Sequence, residues 1–168
     1  MISLSRRDQG FTIVELLIVI IIVGVLGVLV FTTYSGIQQK SRNNLRTSDL
    51  KSLSGQIEAY YSENGVYPNL TDLNSPSWRA ANMKHLESSW LVDPSSKTDC
   101  LNVTPNTCLV SSPKPGFYSY QAMQADEVSG CDGKVGSSAD QNCAHYVLTA
   151  TYEGSVNGSV KDVVKSLE

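Results

Sequence analysis

Apolar residues fall into two patterns along the first half of this chain. From Ile13 to Phe31 nearly every position is apolar, and Glu15 is the one charged side chain within the run. Farther on, Leu50, Leu53, Ile57 and Tyr60/Tyr61 recur at steps of three and four, with Lys51, Gln56 and Glu58 between them. The first pattern predicts a helix that is apolar all round; the second predicts a helix with one apolar stripe. No proline stands between Phe31 and Pro68, and Asn64-Gly65 supplies a stop signal in which Gly65 takes the left-handed conformation. The two patterns therefore join into one predicted helix from Phe11 to about Glu63, roughly 80 Å long.

The second half reads differently. Ser75-Pro76 has the form of an N-cap followed by proline in the first turn, and Trp78, Met83 and Leu86 predict a short helix inside a long connection. Phe117–Met123 and His145–Glu153 carry the β-branched and aromatic residues of strands. Val156-Asn157-Gly158-Ser159 is a hairpin signal, because Asn-Gly suits a type I′ turn, and it leads to a last strand at about Lys161–Ser166. Strands grouped after a long helix predict an α+β fold, a helix packed on an antiparallel sheet.

The chain has 168 residues and a net charge of -3. That balance argues against a nucleic-acid footprint, which needs a basic surface. As a helix, Phe11–Phe31 would run roughly 30 Å, about one bilayer core. Arg6 and Arg7 precede it and predict a cytoplasmic N-terminus, with the polar remainder outside. A cleaved secretory signal is the rival reading, and Thr33–Gly36 resembles its cleavage site weakly. Such a signal has a shorter apolar core, about 7 to 15 residues, and does not carry an internal acid such as Glu15.

All four cysteines, Cys100, Cys108, Cys131 and Cys143, lie in the outer part, where an oxidising compartment favours disulfides. Four cysteines allow three pairings. Cys100 with Cys108 and Cys131 with Cys143 are favoured, because each pair closes a short loop with turn residues, Pro105-Asn106 in the first and Asp132-Gly133 in the second. Each closure contributes roughly 2 to 3 kcal/mol. Zinc is the rival, but no Cys-x-x-Cys spacing is present. Asp126, Glu127, Asp132 and Asp140 gather around the second loop and raise the question of calcium, yet their spacing matches no calcium loop and solvated acids are the simpler reading. His85 and His145 are the only histidines, and there is neither a nucleophile elbow nor a phosphate loop. Nothing here calls for an enzyme or a cofactor.

Residues 6 to 19, "RRDQGFTIVELLIV", resemble the N-terminus of type IV pilins and of type II secretion pseudopilins. The shared pattern is a short basic leader, Gly10, Phe11, and Glu15 four residues beyond it, opening a long apolar helix. "ENGVYP" after the helix is similar to what many bacterial members carry there. The resemblance implies the pilin fold, with an antiparallel sheet of about four strands. It divides the chain into a leader at 1–10, a membrane and filament-core half-helix at 11–34, an amphipathic half-helix at 35–64 and a globular head at 65–168. It implies that a prepilin peptidase cuts between Gly10 and Phe11 and methylates the new amine of Phe11. The partners implied are other pilins in a homopolymer, an assembly ATPase and platform protein, and membrane lipid before assembly. The protein would thus wait in the cytoplasmic membrane and end in an extracellular filament; fibres of this kind serve adhesion, twitching motility or secretion.

A carboxylate inside the bilayer costs roughly 2.5 to 3.5 kcal/mol on insertion scales. The resemblance gives Glu15 a partner, the N-terminal amine of a neighbouring subunit, so that it sets axial register. Snorkelling to the interface is the plainer alternative. Gly24 and Gly27 allow close helix approach, and the family often loosens its helix near such a glycine, here ahead of Thr32-Thr33 where many relatives carry proline. A pseudopilin of a secretion or DNA-uptake machine is the alternative within the resemblance. A membrane-anchored adhesin that never polymerises is the alternative outside it. The cysteine reading predicts that protein recovered from the extracytoplasmic side has no thiol that reacts before reduction and four that react afterwards.

Overall fold

The stripe on the second half of the helix is the seat of the core. The computed structural model describes residues 10–96, 99–101, 108–131 and 142–167. The first element is α1, Ile13–Asn64, of 52 residues. Two compact units divide the chain, one up to Lys40 and one from Ser41 onward. In the first, the helix carries exposed apolar side chains along its length. In the second, Asn43, Arg46, Leu50, Leu53, Ile57 and Tyr60 are buried at alternating steps of three and four, one continuous face of α1. Gly65, at φ +71°, ends the helix, and its N–H donates to the Tyr61 carbonyl.

The connection that follows is built of short pieces: α2 (Leu70–Asn74), α3 (Pro76–Asn82) and a 3₁₀ turn (Ser88–Leu91). Ser75 caps α3 with its hydroxyl, accepting from the Trp78 N–H, and Pro76 opens the helix as expected. The expected single helix through Trp78, Met83 and Leu86 is instead interrupted. Met83 leaves helical geometry at φ −134°, and the chain turns there before the 3₁₀ segment.

A four-stranded sheet completes the head, in the order β1 (Leu109–Val110), β2 (Tyr118–Met123), β3 (His145–Val156) and β4 (Ser159–Lys165). The α+β expectation holds with one correction: the sheet is mixed, because β1 runs parallel to β2. The two-residue β1 carries too little pattern to be read from sequence. Its place is set by tethers: Cys108 beside it is bonded to Cys100, and the Asn74 amide donates to the Leu109 carbonyl and accepts from the Leu109 N–H. β2 with β3 and β3 with β4 are antiparallel. Asn157 and Gly158, at φ +51° and +82°, make the hairpin turn that Asn-Gly announced. β3 outruns its expected end at Glu153, because Gly154, at φ +73°, sits in a register shift between Thr151 and Val156 and the strand continues beyond it.

Tyr118 and Tyr120 of β2, and Tyr146, Leu148 and Ala150 of β3, are buried with the α1 stripe in one core. Tyrosines dominate, and several of their hydroxyls reach acceptors at the edge of the core. Tyr118 donates to Asp49 at 2.8 Å, Tyr120 to the Pro68 carbonyl at 2.7 Å, and Tyr67 to Glu58 at 2.9 Å. Burial pushes the Tyr118 and Tyr146 hydroxyls well above the ordinary phenol range, so both stay protonated.

The upper part of the stripe is polar, and sequence reading missed it. Arg46 is 1% exposed. Its Nε and Nη2 reach the two oxygens of Asp93 at 2.7 and 2.9 Å, and Nη2 also lies 2.9 Å from Ser95 Oγ and from Glu153 Oε1. Nη1 donates to Asn43 Oδ1 at 2.7 Å. Glu153 is held from a second side by Arg42, and the Asn43 side chain exchanges two hydrogen bonds with the Glu153 backbone. Three segments distant in sequence are thereby joined: α1, the connection after the 3₁₀ turn, and β3. Burial pushes the Asp93 carboxyl up, but donors from Arg46 and Ser95 outweigh it and hold the group below its ordinary range. Hydrogen bonds from Arg42, then Arg46, bring Glu153 from 4.5 down to about 2.

Removing one member strands the others. Arg46→Ala is expected to destabilise the head by about 3–5 kcal/mol, since it leaves Asp93 buried without its counter-charge; urea unfolding followed by tyrosine fluorescence measures this. The pH dependence has a definite sign. Glu153 has a folded pKa below its unfolded value, so its contribution is complete above about pH 4.5 and is lost as pH falls toward 2. Urea midpoints of the wild type should drop through that window more steeply than those of Glu153→Gln.

Candidate assembly site

The N-terminal stem is built from residues that cannot be satisfied by water. Phe11 is 85% exposed, and each large apolar side chain from Ile13 to Phe31 that bears on the stem remains about half exposed or more. The helix is long and apolar enough to cross a membrane, and none of its apolar window is buried within the chain. Exposed apolar surface of this extent marks a site that something else covers.

At the N-terminal foot of the stem, Thr12 and Glu15 form a reciprocal cap. Glu15 Oε2 accepts from the Thr12 N–H and from Thr12 Oγ1, both at 2.8 Å. Thr12 Oγ1 in turn accepts from the Glu15 N–H at 3.2 Å. This is a capping box: the first-turn acid satisfies an amide that helix geometry leaves without a partner, near the positive end of the helix dipole. Sequence reading treated Glu15 as a lone acid and missed Thr12. The signal was present, a Thr-x-x-Glu spacing directly ahead of an apolar run. Both contacts to Glu15 use one oxygen, Oε2.

Gly10 is exposed at the foot of the stem. Gly24 and Gly27 lie within regular helix, and a Cβ built at any of the three meets nothing within 4 Å. Within a single chain no contact requires glycine at these positions. Arg6 and Arg7 lie outside the described residues.

In the head, Cys100 is bonded to Cys108 and Cys131 to Cys143. Among the described acids of the second loop, Asp126 is committed to a turn. Its Oδ1 accepts from the N–H groups of Val128 and Ser129, and its Oδ2 from Ser129 Oγ. Glu127 beside it takes a positive φ of 58°. Asp132 and Asp140 lie outside the described residues, as do the Pro105-Asn106 and Asp132-Gly133 turns; among the described residues no three metal-ligating side chains converge. His145 lies 3.3 Å from Ser166 Oγ on the neighbouring strand end.

Residues 5–31 match the family described as the prokaryotic N-terminal methylation motif. Over 65 residues, 39% of this chain, the sequence is 37% identical to type II secretion system core protein G of Dickeya chrysanthemi, covering 42% of that protein. Over 63 residues, 38% of this chain, it is 38% identical to the core protein G of Klebsiella pneumoniae, covering 45% of that protein. Fimbrial protein EcpC of Eikenella corrodens is 32% identical over 65 residues, 39% of this chain and 42% of its own length. The chain thus spans less than half the length of these curated relatives. No solved structure matches it.

Proposed function

We propose that this chain, which carries a prepilin-type N-terminus and is a distant homologue of type II secretion pseudopilins and of a fimbrial protein, is a structural subunit that polymerises through its N-terminal helix. The observation that carries the reading is the uncovered stem with an acid in its first turn. Before assembly, lipid covers the stem. A prepilin peptidase cuts between Gly10 and Phe11, where the absence of a side chain at Gly10 lets extended backbone enter a narrow cleft, and methylates the new amine. The cut removes Arg6 and Arg7, which otherwise hold the N-terminus on the cytoplasmic side.

In the fibre, stems pack against stems. Thr12 occupies only Oε2 of Glu15, which leaves Oε1 to accept from the amine at Phe11 of a neighbouring copy. Pairing offsets the cost of burying the acid, and it does so at one axial height alone. Contacts of this head-to-tail kind do not close, so they yield an open fibre. Loosening of the helix from Gly24 toward Thr33 is part of the same reading, since each glycine there weakens helix by about 1 kcal/mol relative to alanine.

The machine is either a type IV pilus or a secretion apparatus. The relatives named core protein G favour a short pseudopilus, and the fimbrial relative favours a surface fibre. Long fibres on cells at native expression would select the pilus. A monomeric anchored adhesin would need neither the cut nor the acid.

Two measurements on one pair of strains test the proposal. Mass spectrometry of the mature protein should find a chain beginning at methylated Phe11. Glu15→Ala should be inserted and cleaved like the wild type but recovered in sheared fibres at a small fraction of its yield. An uncut N-terminus, or a normal fibre yield from the variant, would overturn it.

A further inference from the structure

A second arginine in the head is buried as Arg46 is, and its surroundings are the reverse. Arg79 of α3 is 5% exposed. Its Nη1 donates to the Leu73 carbonyl, which fastens α3 to α2. Among the described residues the other edge of the guanidinium, Nε with Nη2, has no partner: no carboxylate reaches it, and no ion pair includes it. Among the described residues the sealed polar side-chain atoms that lack partners are Asn142 Oδ1 and Tyr146 Oη, so the Arg79 edge still touches accessible space. Arg79 also lines a cleft of about 440 Å³ with Pro76, Ala80, Met83, Lys84 and Ser88. Two cations and a hydroxyl border this cleft, and none of its described lining residues is acidic. Glu87, nearby in sequence, accepts instead from Ser89 Oγ at 3.4 Å.

Burying a guanidinium without a counter-charge is costly, and proteins seldom retain one that does nothing. Arg46 shows what the same edge does when it is filled within the chain: Nε and Nη2 take the two oxygens of one carboxylate. That fork geometry is selective for planar oxyanions. We infer that the cleft beside α3 is a binding site for a carboxylate, gripped by the Nε and Nη2 edge of Arg79 with Lys84 at the rim. Two sources carry this chemistry: the acidic side chain of another copy of this chain, or a small organic acid. The site is independent of the polymerisation reading, because it lies wholly in the head.

Butyrate serves as the probe. Full-length protein in detergent is titrated while the backbone amide resonance of Lys84, at the rim of the cleft, is followed in the wild type and in each variant. The expected result is a saturable shift that is absent in Arg79→Gln. Arg79→Lys keeps the charge and fold but loses the fork, and should weaken binding roughly tenfold. A shift that does not saturate, an equal affinity in Arg79→Lys, or an equally strong response to inorganic phosphate would overturn the assignment. Repeating the titration on assembled fibres separates the sources. If an acid from a neighbouring copy fills the cleft, the resonance is already shifted and butyrate has no further effect; if the ligand is a small acid, the site titrates in fibres as it does in monomers.

Discussion

Arg46 sits on the same face of α1 as Leu50, Leu53 and Ile57, and a guanidinium cannot be buried on such a face unless the rest of the head brings acceptors to it. It does so from two directions. Asp93 and Ser95 arrive from the connection, and Glu153 arrives from the central strand β3. β3 is already held by its neighbouring strands and its core face, so the network chiefly fixes the connection to it. The connection has only short helical pieces, and β3 reaches Glu153 just before its glycine-induced register shift. The network therefore orients segments that apolar packing alone would leave free to slide. Below it, the tyrosine layer does the packing. Tyr61, Tyr67, Tyr146 and Tyr120 follow one another at centroid separations of 4.2 to 5.7 Å, stacked except for the edge-on Tyr67–Tyr146 pair, and fill the space between helix and sheet.

The stem obeys the opposite rule. Burying an aliphatic side chain stabilises by roughly 1.5–3 kcal/mol, so a run of this length represents tens of kcal/mol that the isolated chain does not realise. In the proposed assembly first lipid and then other stems realise it, and between those two environments the apolar effect is nearly neutral. What distinguishes them is the polar remainder. In the proposed assembly a carboxylate near the end of such a helix is tolerated in lipid and paired in the fibre, so a single acid would govern transfer between them.

Much of this was legible in the sequence because it rests on local rules. The α1 stripe from Leu50 to Tyr60, the Gly65 stop, the Ser75-Pro76 start and the Asn157-Gly158 turn are each dictated by spacing or by backbone freedom, and each stands where it was read. What escaped was set by partners far away in sequence. Asn43 and Arg46 continue the stripe in period but not in polarity, so a search for apolar positions stopped one turn early. β1 is two residues long, and its parallel direction follows from a disulfide and an asparagine clamp rather than from any pattern of its own. The Thr12-Glu15 cap is a different failure. It is wholly local, and the acid's placement within an apolar run drew attention away from the threonine three residues before it.

The two disulfides have a consequence for mechanics. Cys100 with Cys108 and Cys131 with Cys143 are separated by 8 and 12 residues, and both lie on the C-terminal side of α1. A subunit tugged through its stem would first yield by shearing helix from sheet, and the slack then released is limited by these two staples. Together they withhold roughly 60 Å of contour length from a fully unravelled head, 20 residues of extended chain less the span of each bridge. The two looped segments thus stay closed under tension, and each returns to the fold as one unit once tension falls.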